Sequence, residues 1–363
     1  MRIGIDGRAL QDKPWSGVGQ YTYNLLHALF GLDKENEYII WYNAAGALEV
    51  PNFHEYPNVR IYRTNWPNKL LNLLMKFIPS VKCCVLRVTF DIFFMPNLNF
   101  IALPARTKLI LTVHDLSFEH FPEHFSKHTR LVHKAVNPRA LIKRASKVIA
   151  VSEHTKDDLI ETYGIQLEKI SVVYPGVHRM QNVKLKMQNE RPYILYFGAL
   201  EPRKNILGII EAYERLKPRE SLMLAGLSTP HVKQLKKRIA QSKLRDKIIL
   251  VENPNEAEKA AIYAAATLFA YPSFYEGFGF PPLEAMSYGV PVVASSASAV
   301  PEICGKAALL VSPWKVEEIE EGMRILLEED EAREKYIVAG FERIKYFSWE
   351  KSAQQTLEIF KSL

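Results

Sequence analysis

The sequence has few cysteines and no long uncharged apolar run. Its 363 residues include only Cys83, Cys84 and Cys304, too few for a disulfide framework, so we expect a reducing compartment. A membrane-spanning helix needs about 18 consecutive apolar residues, and no uncharged apolar run in the chain is that long. The opening residues MRIGID predict a strand rather than a signal peptide. We therefore expect a cytoplasmic protein.

Negative charge is scarce in the first half of the chain. Residues 1–180 hold 22 Lys and Arg against 16 Asp and Glu, while the whole chain carries a net charge of +7. Such an excess raises the hypothesis of a nucleic-acid-binding protein. However, the excess is confined to one half, and no DNA- or RNA-binding motif is present. We therefore expect no nucleic-acid partner.

Short apolar runs alternate with longer helical patterns through both halves. Several runs are apolar throughout, as in parallel strands that are buried on both faces. This alternation predicts an α/β fold of two Rossmann-like, doubly wound domains. The predicted strands are Arg2–Asp6, Tyr38–Tyr42, Val59–Tyr62, Ile92–Met95, Lys108–His114, Val148–Ser152, Ile170–Val173, Tyr193–Phe197, Ser221–Ala225, Lys247–Leu250, Leu268–Tyr271, Val292–Ser295 and Ala308–Val311. The predicted helices include Gln20–Phe30, Thr129–Arg144, Ile206–Leu216, Val232–Gln241 and Glu256–Ala266.

A polar stretch without periodicity separates the two predicted domains. Residues 178–192 have this character, and a new strand begins directly after them at Tyr193. This favours a linker between an N-terminal domain at 1–180 and a second domain from 181.

Two features of the first domain follow predicted strands, where open α/β sheets bind ligands. Gly17 and Gly19 precede a helix, so that backbone N–H groups could approach a phosphate. Most such turns bind nothing, and the absence of a following Gly-Lys-Ser/Thr excludes a Walker loop. His114 ends the strand LTVH, where a histidine can either point into a cleft or brace the loop.

Two adjacent cations, Arg203 and Lys204, follow a strand of the second domain at the expected start of a helix. The helix dipole disfavours positive charge there, so a bound anion is the preferred explanation and a solvated basic pair the alternative. Both cations are expected to lie in a cleft, where replacing Lys204 leaves the melting temperature nearly unchanged.

Two glutamates, Glu276 and Glu284, are eight positions apart in a loop and helix start rich in glycine, proline and aromatic residues. Gly277 and Gly279 allow close backbone approach, and the two prolines at 281–282 predict a helix start with Glu284 in its first turn. Glu284 could then accept two ribose hydroxyls and Glu276 could reach sugar hydroxyls. Surface charge is the alternative. Like Lys204, Glu276 is expected to be replaceable without loss of stability.

The Glu-x7-Glu stretch PSFYEGFGFPPLEAMSYGVPVVAS resembles glycosyltransferase family 4. The segments SGVGQYTYNLL, LTVHD, VIAVSEHTKDDLI, VVYPGV and YFGALEPRKNI fall in the order of that family. The resemblance implies retaining transferases of the GT-B fold, with two Rossmann-like domains around a cleft. It also implies a second domain at 181–345 and a terminal helix at 346–363 that crosses back to the first domain.

The resemblance also implies a role for each candidate residue. Gly17 and Gly19 would face the donor diphosphate, and His114 would lie beside the transferred sugar. Arg203 and Lys204 would neutralise the departing nucleoside diphosphate. The remaining contacts are to the sugar and the ribose: Glu276 to the sugar, with the backbone of Gly277, Phe278 and Gly279 alongside, and Glu284 to the ribose.

One position departs from the family pattern. Many members carry an arginine directly after the glycine of the FG strand end, where this chain has Ala199; Arg203 is the candidate to replace its charge. No Asp-x-Asp pair occurs, so we expect metal-independent transfer with no resident cofactor. The forms GALEPRKN and IGIDGRAL look most like bacterial mannosyltransferases of surface-polysaccharide assembly, which favours GDP-mannose as the donor and a glycan or lipid-linked acceptor.

Other functions remain open at this stage. A UDP-sugar-dependent transferase, an epimerase or a phosphorylase fits the same architecture, although no pyridoxal lysine for a phosphorylase is identifiable. A catalytically silent sugar-binding protein is a further alternative.

The segment 60–87 carries six cations and a helically spaced apolar set. This pattern leads to the hypothesis of a peripheral protein that docks on the anionic inner face of a membrane. A solvated basic surface over a core-facing helix is the alternative.

Overall fold

Two parallel β-sheets organise the chain in a computed structural model that describes residues 1–11, 17–44, 50–67, 71, 88–178 and 192–363. One sheet belongs to each half, and helices connect the strands. The predicted fold of two Rossmann-like α/β domains is therefore confirmed.

The N-terminal sheet has the strand order β3-β2-β1-β4-β5-β6-β7, with every neighbouring pair parallel. Strands such as β4 are buried along their whole length, which explains their continuous apolar sequence. The strands are β1 (Arg2–Asp6), β2 (Glu37–Asn43), β3 (Val59–Thr64), β4 (Ile92–Met95), β5 (Lys108–Val113), β6 (Lys147–Ala150) and β7 (Ile170–Val172). The helices are α1 (Gly17–Leu32), α2 (Ser117–His120), α3 (Lys127–Val136), α4 (Pro138–Arg144) and α5 (Glu153–Tyr163).

The C-terminal sheet has the order β10-β9-β8-β11-β12-β13 and is also parallel. The strands are β8 (Tyr193–Phe197), β9 (Ser221–Gly226), β10 (Ile248–Glu252), β11 (Leu268–Tyr271), β12 (Val292–Ser295) and β13 (Leu309–Val311). The helices are α6 (Ile206–Leu216), α7 (Val232–Ala240), α8 (Glu256–Ala264), α9 (Phe280–Ser287), α10 (Val300–Cys304), α11 (Val316–Glu328), α12 (Asp330–Arg343) and α13 (Trp349–Lys361).

The chain divides into two compact units. The first contains Met1–Phe118, Phe125–Gly176 and Ser348–Leu363, and the second contains Glu119–His124 and Val177–Phe347. The terminal helix α13 thus belongs to the first unit, where it packs against α1. The predicted end of the first domain was residue 180, and the terminal helix was predicted to start after residue 345.

The predicted helix Thr129–Arg144 is wrong as a single element. The structure has α3 and α4 instead, separated at Asn137, whose φ is 54°. Pro138 explains the break, because its ring cannot continue the helix of α3 and suits the first position of a new one. Asn137 tolerates the left-handed conformation and accepts a hydrogen bond from the Ala140 N–H.

None of the described helices is both long and apolar enough to cross a membrane. The segment 60–87 of the membrane hypothesis lies outside the described residues except for 60–67 and 71.

Candidate functional site

The strand order of the C-terminal sheet reverses between β8 and β11, which are neighbours. Loops leave the carboxyl ends of these strands in opposite directions, and this is where open α/β sheets bind ligands. Arg203 and Lys204 follow β8, and Glu276 follows β11. The structure therefore brings these three predicted residues together at the switch point of the sheet.

The loop that follows β8 begins so close to the end of β9 that only glycine fits at the point of contact. A Cβ atom at Gly226, at the end of β9, would lie 1.8 Å from the carbonyl oxygen of Gly198, and the φ of Gly226 is +143°. Any side chain at Gly226 would therefore push the loop after β8 away from its neighbour.

Lys204 and Glu276 form a buried ion pair. The Lys204 Nζ lies 2.6 Å from Glu276 Oε1, 2.8 Å from Oε2 and 3.1 Å from the Tyr271 hydroxyl. The Tyr271 hydroxyl also donates to Glu276 Oε1 at 2.8 Å. The side chains of Lys204 and Glu276 are only 9% and 7% exposed. The three N–H groups of the lysine thus match three acceptors in number.

Arg203 contacts the same carboxylate and a second one. Its guanidinium donates to Glu276 Oε2 at 3.3 Å, to the Tyr275 carbonyl at 2.5 Å and to Glu201 Oε1 at 2.8 Å. The two cations lie on a 3-10 turn, Pro202–Lys204, ahead of α6. Glu276 and Glu201 of the chain itself face the two cations, so the alternative of a solvated basic pair is wrong.

The expectation that Glu276 and Lys204 are replaceable without loss of stability is contradicted by this burial. Removing either partner leaves a charge in a site that excludes water, which is costly. Sequence reasoning placed both residues in an open cleft, and nothing in the local sequence indicates that they pair across 72 positions.

Opposing effects set the pKa of Glu276. Burial by itself would raise the pKa, but the positive charges of Lys204 and Arg203 outweigh burial and lower it from an ordinary 4.5 to about 2. Glu276 is therefore ionised at neutral pH, and its charge is held close to both cations.

This depressed pKa predicts a pH-dependent contribution to stability. The contribution is complete above the ordinary pKa of 4.5 and is lost as the pH falls towards about 2. From pH 6 to pH 3, wild type should lose about 2 kcal/mol more unfolding free energy than Glu276→Gln, which cannot titrate at this position. Urea unfolding of both proteins across this range measures the difference. Parallel pH profiles would contradict the assigned ionisation.

The loop that contains Glu276 is held by contacts with neighbouring segments. The Glu276 N–H donates to the Ser298 Oγ at 2.8 Å. Gly277 is buried, and the ring of Phe278 contacts those of Phe280 and Phe347. Gly279 has a φ of +104° directly before α9, so its backbone conformation requires glycine.

Glu284 is held by α8. Its Oε1 lies 2.6 Å from the Lys259 Nζ, and its Oε2 accepts from the Tyr263 hydroxyl at 2.9 Å. Burial alone would lower the pKa of Lys259, but the charge of Glu284 outweighs it and raises that pKa. Each carboxylate oxygen can accept more than one hydrogen bond, so two hydroxyls of a diol could still be bound.

The prediction that Glu284 lies in the first turn of a helix is wrong. Helix α9 begins at Phe280, one residue before the two prolines, because Gly279 turns the chain into it. Glu284 is the fifth helical residue and therefore faces α8 from the second turn.

The remaining candidates belong to the first unit. Helix α1 begins at Gly17, and no described atom lies within 4 Å of a Cβ built there, so packing of the described residues does not require glycine. Gly19 is buried two residues later. Strand β5 ends at Val113, one residue short of the predicted strand, so His114 directly follows it.

His114 is fixed by two contacts. Its Nε2 is 2.8 Å from the Pro96 carbonyl oxygen, which can only accept, so Nε2 carries the proton. Its ring meets the Tyr21 ring edge-on at 4.7 Å. Burial lowers its pKa, and the neutral ring therefore keeps a lone pair on Nδ1. This nitrogen can accept a hydrogen bond from a ligand hydroxyl.

Sequence reasoning missed the residues that hold the candidates in place: Tyr21, Glu201, Lys259, Tyr263, Tyr271 and Ser298. Two of them had a sequence signal, because Tyr21 lies in the segment SGVGQYTYNLL and Glu201 in the segment YFGALEPRKNI. The others have an unremarkable local context.

Two family models match consecutive parts of the chain. The model described as Glycosyltransferase Family 4 matches residues 15–179, and the model described as Glycosyl transferases group 1 matches residues 179–343. The group 1 match contains Arg203, Lys204, Glu276 and Glu284.

Individual proteins agree with these matches. The chain is 28% identical to O-antigen chain mannosyltransferase B of Escherichia coli over 96% of this chain and 97% of that protein. Sucrose-phosphate synthase from Thermosynechococcus elongatus shares the fold with a TM-score of 0.78 at 18% identity, covering 100% and 98% of the two chains. Anabaena HepE in complex with UDP-glucose does so with a TM-score of 0.73 at 23% identity, covering 100% of both. The chain therefore belongs to the glycosyltransferases, with a Family 4 N-terminal part and a group 1 C-terminal part, and has the GT-B fold of two Rossmann-like domains.

Proposed function

We propose that this glycosyltransferase moves mannose from GDP-mannose, with retention at the anomeric carbon and without a metal, to a glycan or lipid-linked acceptor of surface-polysaccharide synthesis. The observation that carries the proposal is the buried Lys204–Glu276 pair, with Arg203 beside it, at the switch point of the group 1 part. The likeness to an O-antigen mannosyltransferase of Escherichia coli supports the choice of sugar and pathway.

The cluster suggests how a donor diphosphate is received. All three N–H groups of Lys204 have partners, so a phosphate oxygen gains a donor only by replacing one of them. The diphosphate replaces Glu276 as the counter-charge of Lys204 and Arg203. The buried Lys204 and the partly buried Arg203 thus keep a nearby anion both before and after the donor binds, so neither cation is left unpaired.

This exchange also frees Glu276 to accept hydroxyls of the transferred sugar. As the bond to the diphosphate breaks, negative charge grows on the leaving oxygens, and cations already in place stabilise it. The departing diphosphate accepts the proton of the acceptor hydroxyl. Arg203 and Lys204 supply the charge that a divalent metal provides in other transferases.

The other candidates keep the roles that the family resemblance implies. Glu284 accepts the ribose hydroxyls, and the backbone of Gly277, Phe278 and Gly279 lies along the sugar. In the first unit, Gly17 and Gly19 approach the diphosphate, and the Nδ1 of His114 accepts a sugar hydroxyl.

Thermal shifts with GDP, UDP, ADP and dTDP test the donor. A ligand at one hundred times its Kd stabilises the folded state by about 2.7 kcal/mol, so GDP should raise the melting temperature most. GDP-mannose should then be the donor that is consumed in transfer assays, with and without EDTA. A shift with UDP alone would favour a UDP-sugar, which the fold shared with UDP-glucose-bound HepE keeps as the second candidate. No shift with any nucleotide would contradict the proposal.

Lys259→Met should weaken donor binding rather than turnover. It removes the charged partner that orients Glu284, and ribose contacts act equally in the ground and transition states. We expect the donor KM to rise about tenfold, equivalent to ~1.4 kcal/mol, with kcat within about twofold of wild type. The matched control is Lys236→Met, which breaks an exposed pair with Glu252. A fall in kcat at unchanged KM would contradict the positioning role of Lys259.

A further inference from the structure

Helix α3 is an exposed element of the first unit. None of its residues is buried. Leu131 is 66% exposed and Val132 37% exposed, so two large apolar side chains face solvent on one short helix. Val136, in the last turn of α3, packs against the core of the unit, whereas Leu131 and Val132 leave an apolar patch on the solvent side of the same helix.

Helices α3 and α4, here called the basic helix pair, carry charge of one sign only. Between Glu123 and Glu153 the chain has no acidic residue. The exposed cations of the pair are Lys127, Arg130, Lys134, Arg139, Lys143 and Arg144. Within the described part of the chain, no carboxylate forms an ion pair with any of them. A partner of this surface must therefore be anionic.

The exposed Leu131 distinguishes between two anionic partners, a nucleic acid and a lipid surface. Lys127 lies four residues before Leu131 and Lys134 three residues after it, so both cations flank Leu131 on one helix face. A nucleic-acid backbone offers phosphates to the cations but leaves Leu131 in water. A lipid headgroup layer accommodates both, because apolar side chains enter the acyl boundary while cations stay among the phosphates.

We propose that the basic helix pair docks this protein on an anionic lipid surface, with Leu131 and Val132 inserted among the headgroups. The proposal extends that of a lipid-linked acceptor. However, vesicle binding is measured without donor or acceptor. The docking proposal can therefore fail while the proposed transfer activity is confirmed, and docking can be confirmed while the transfer activity is not.

Flotation with vesicles of phosphatidylcholine and phosphatidylglycerol tests the docking, with pure phosphatidylcholine vesicles as the neutral comparison. Wild type should float with the anionic vesicles at low salt and be released at high salt. The triple variant Lys127→Glu/Arg130→Glu/Lys134→Glu should bind at least about a hundredfold more weakly. Leu131→Ser should weaken binding about tenfold without altering the charge.

Matched controls come from exposed residues elsewhere. Lys233→Glu/Lys237→Glu/Lys243→Glu makes the same charge change on and just after α7, and Leu167→Ser removes another exposed leucine. Both controls should float like wild type, and all variants should keep the wild-type melting temperature.

Four outcomes would overturn the proposal. These are wild type that never floats with anionic vesicles, equal losses in the two triple variants, binding that survives the triple change in α3, and an unchanged Leu131→Ser. Binding that survives the triple change in α3 would indicate that the segment 60–87 docks on the membrane instead. An unchanged Leu131→Ser, together with displacement of the protein from vesicles by duplex RNA, would indicate that the basic helix pair binds a nucleic acid.

Discussion

Lys204→Met should destabilise the protein by about 3–5 kcal/mol of unfolding free energy. Methionine fills a similar volume but leaves the carboxylate of Glu276 without the ammonium group that lies 2.6 and 2.8 Å from its oxygens. Arg203, at 3.3 Å, can compensate only in part. Urea unfolding at neutral pH measures the loss.

A second substitution separates the pair from general disruption of the site. In Lys204→Met/Glu276→Gln the buried charge is removed together with its partner, so the loss should be smaller than the sum of the two single losses. Lys315→Met is the matched control, because its pair with Glu318 is 67% and 43% exposed and should contribute no more than about 1 kcal/mol. Additive losses in the double variant, or equal losses in Lys204→Met and Lys315→Met, would contradict a buried, coupled pair.

The strands are the part of the fold that sequence reasoning predicted best. Tyr193–Phe197 and Leu268–Tyr271 have the observed bounds, because each is a short apolar run with polar or turn residues around it. Strands buried on both faces produce this pattern directly, so the parallel sheets were predictable.

Apolar periodicity predicted helix bounds less well where a proline interrupts the helix. The apolar spacing of Thr129–Arg144 continues across Asn137 and Pro138, yet the helix breaks there. Pro138 was the local signal that could have placed the break.

The pairing within the candidate site was not predictable from local sequence. Arg203 and Lys204 stand out as two cations, but their partner Glu276 lies more than 70 positions away. Lys259 resembles any solvated lysine on a helix, and only the fold places it against Glu284. The family resemblance implies roles for positions one by one, whereas the charge balance among them depends on tertiary contacts.

Glu276→Gln should lower kcat about 10²–10³-fold, the range typical for loss of one preorganised electrostatic contact. Glutamine keeps the shape of the side chain, but it removes the charge that faces Lys204 and Arg203 and replaces one acceptor oxygen with a donor. The proposed exchange with the diphosphate and the contact to the transferred sugar both need the carboxylate. Initial rates with GDP-mannose, at a temperature where the variant is fully folded, measure the effect.

Glu201→Gln distinguishes contact with the sugar from simple neutralisation of cations. Glu201 also accepts a hydrogen bond from Arg203, at 2.8 Å, but it has no proposed contact with the donor sugar. If Glu276 acts on the sugar, Glu201→Gln should keep kcat within about tenfold of wild type, whereas Glu276→Gln should not. Equal losses in the two variants would mean that Glu276 acts only by holding Arg203 and Lys204 in place. Near-normal turnover of folded Glu276→Gln would remove Glu276 from the reaction altogether.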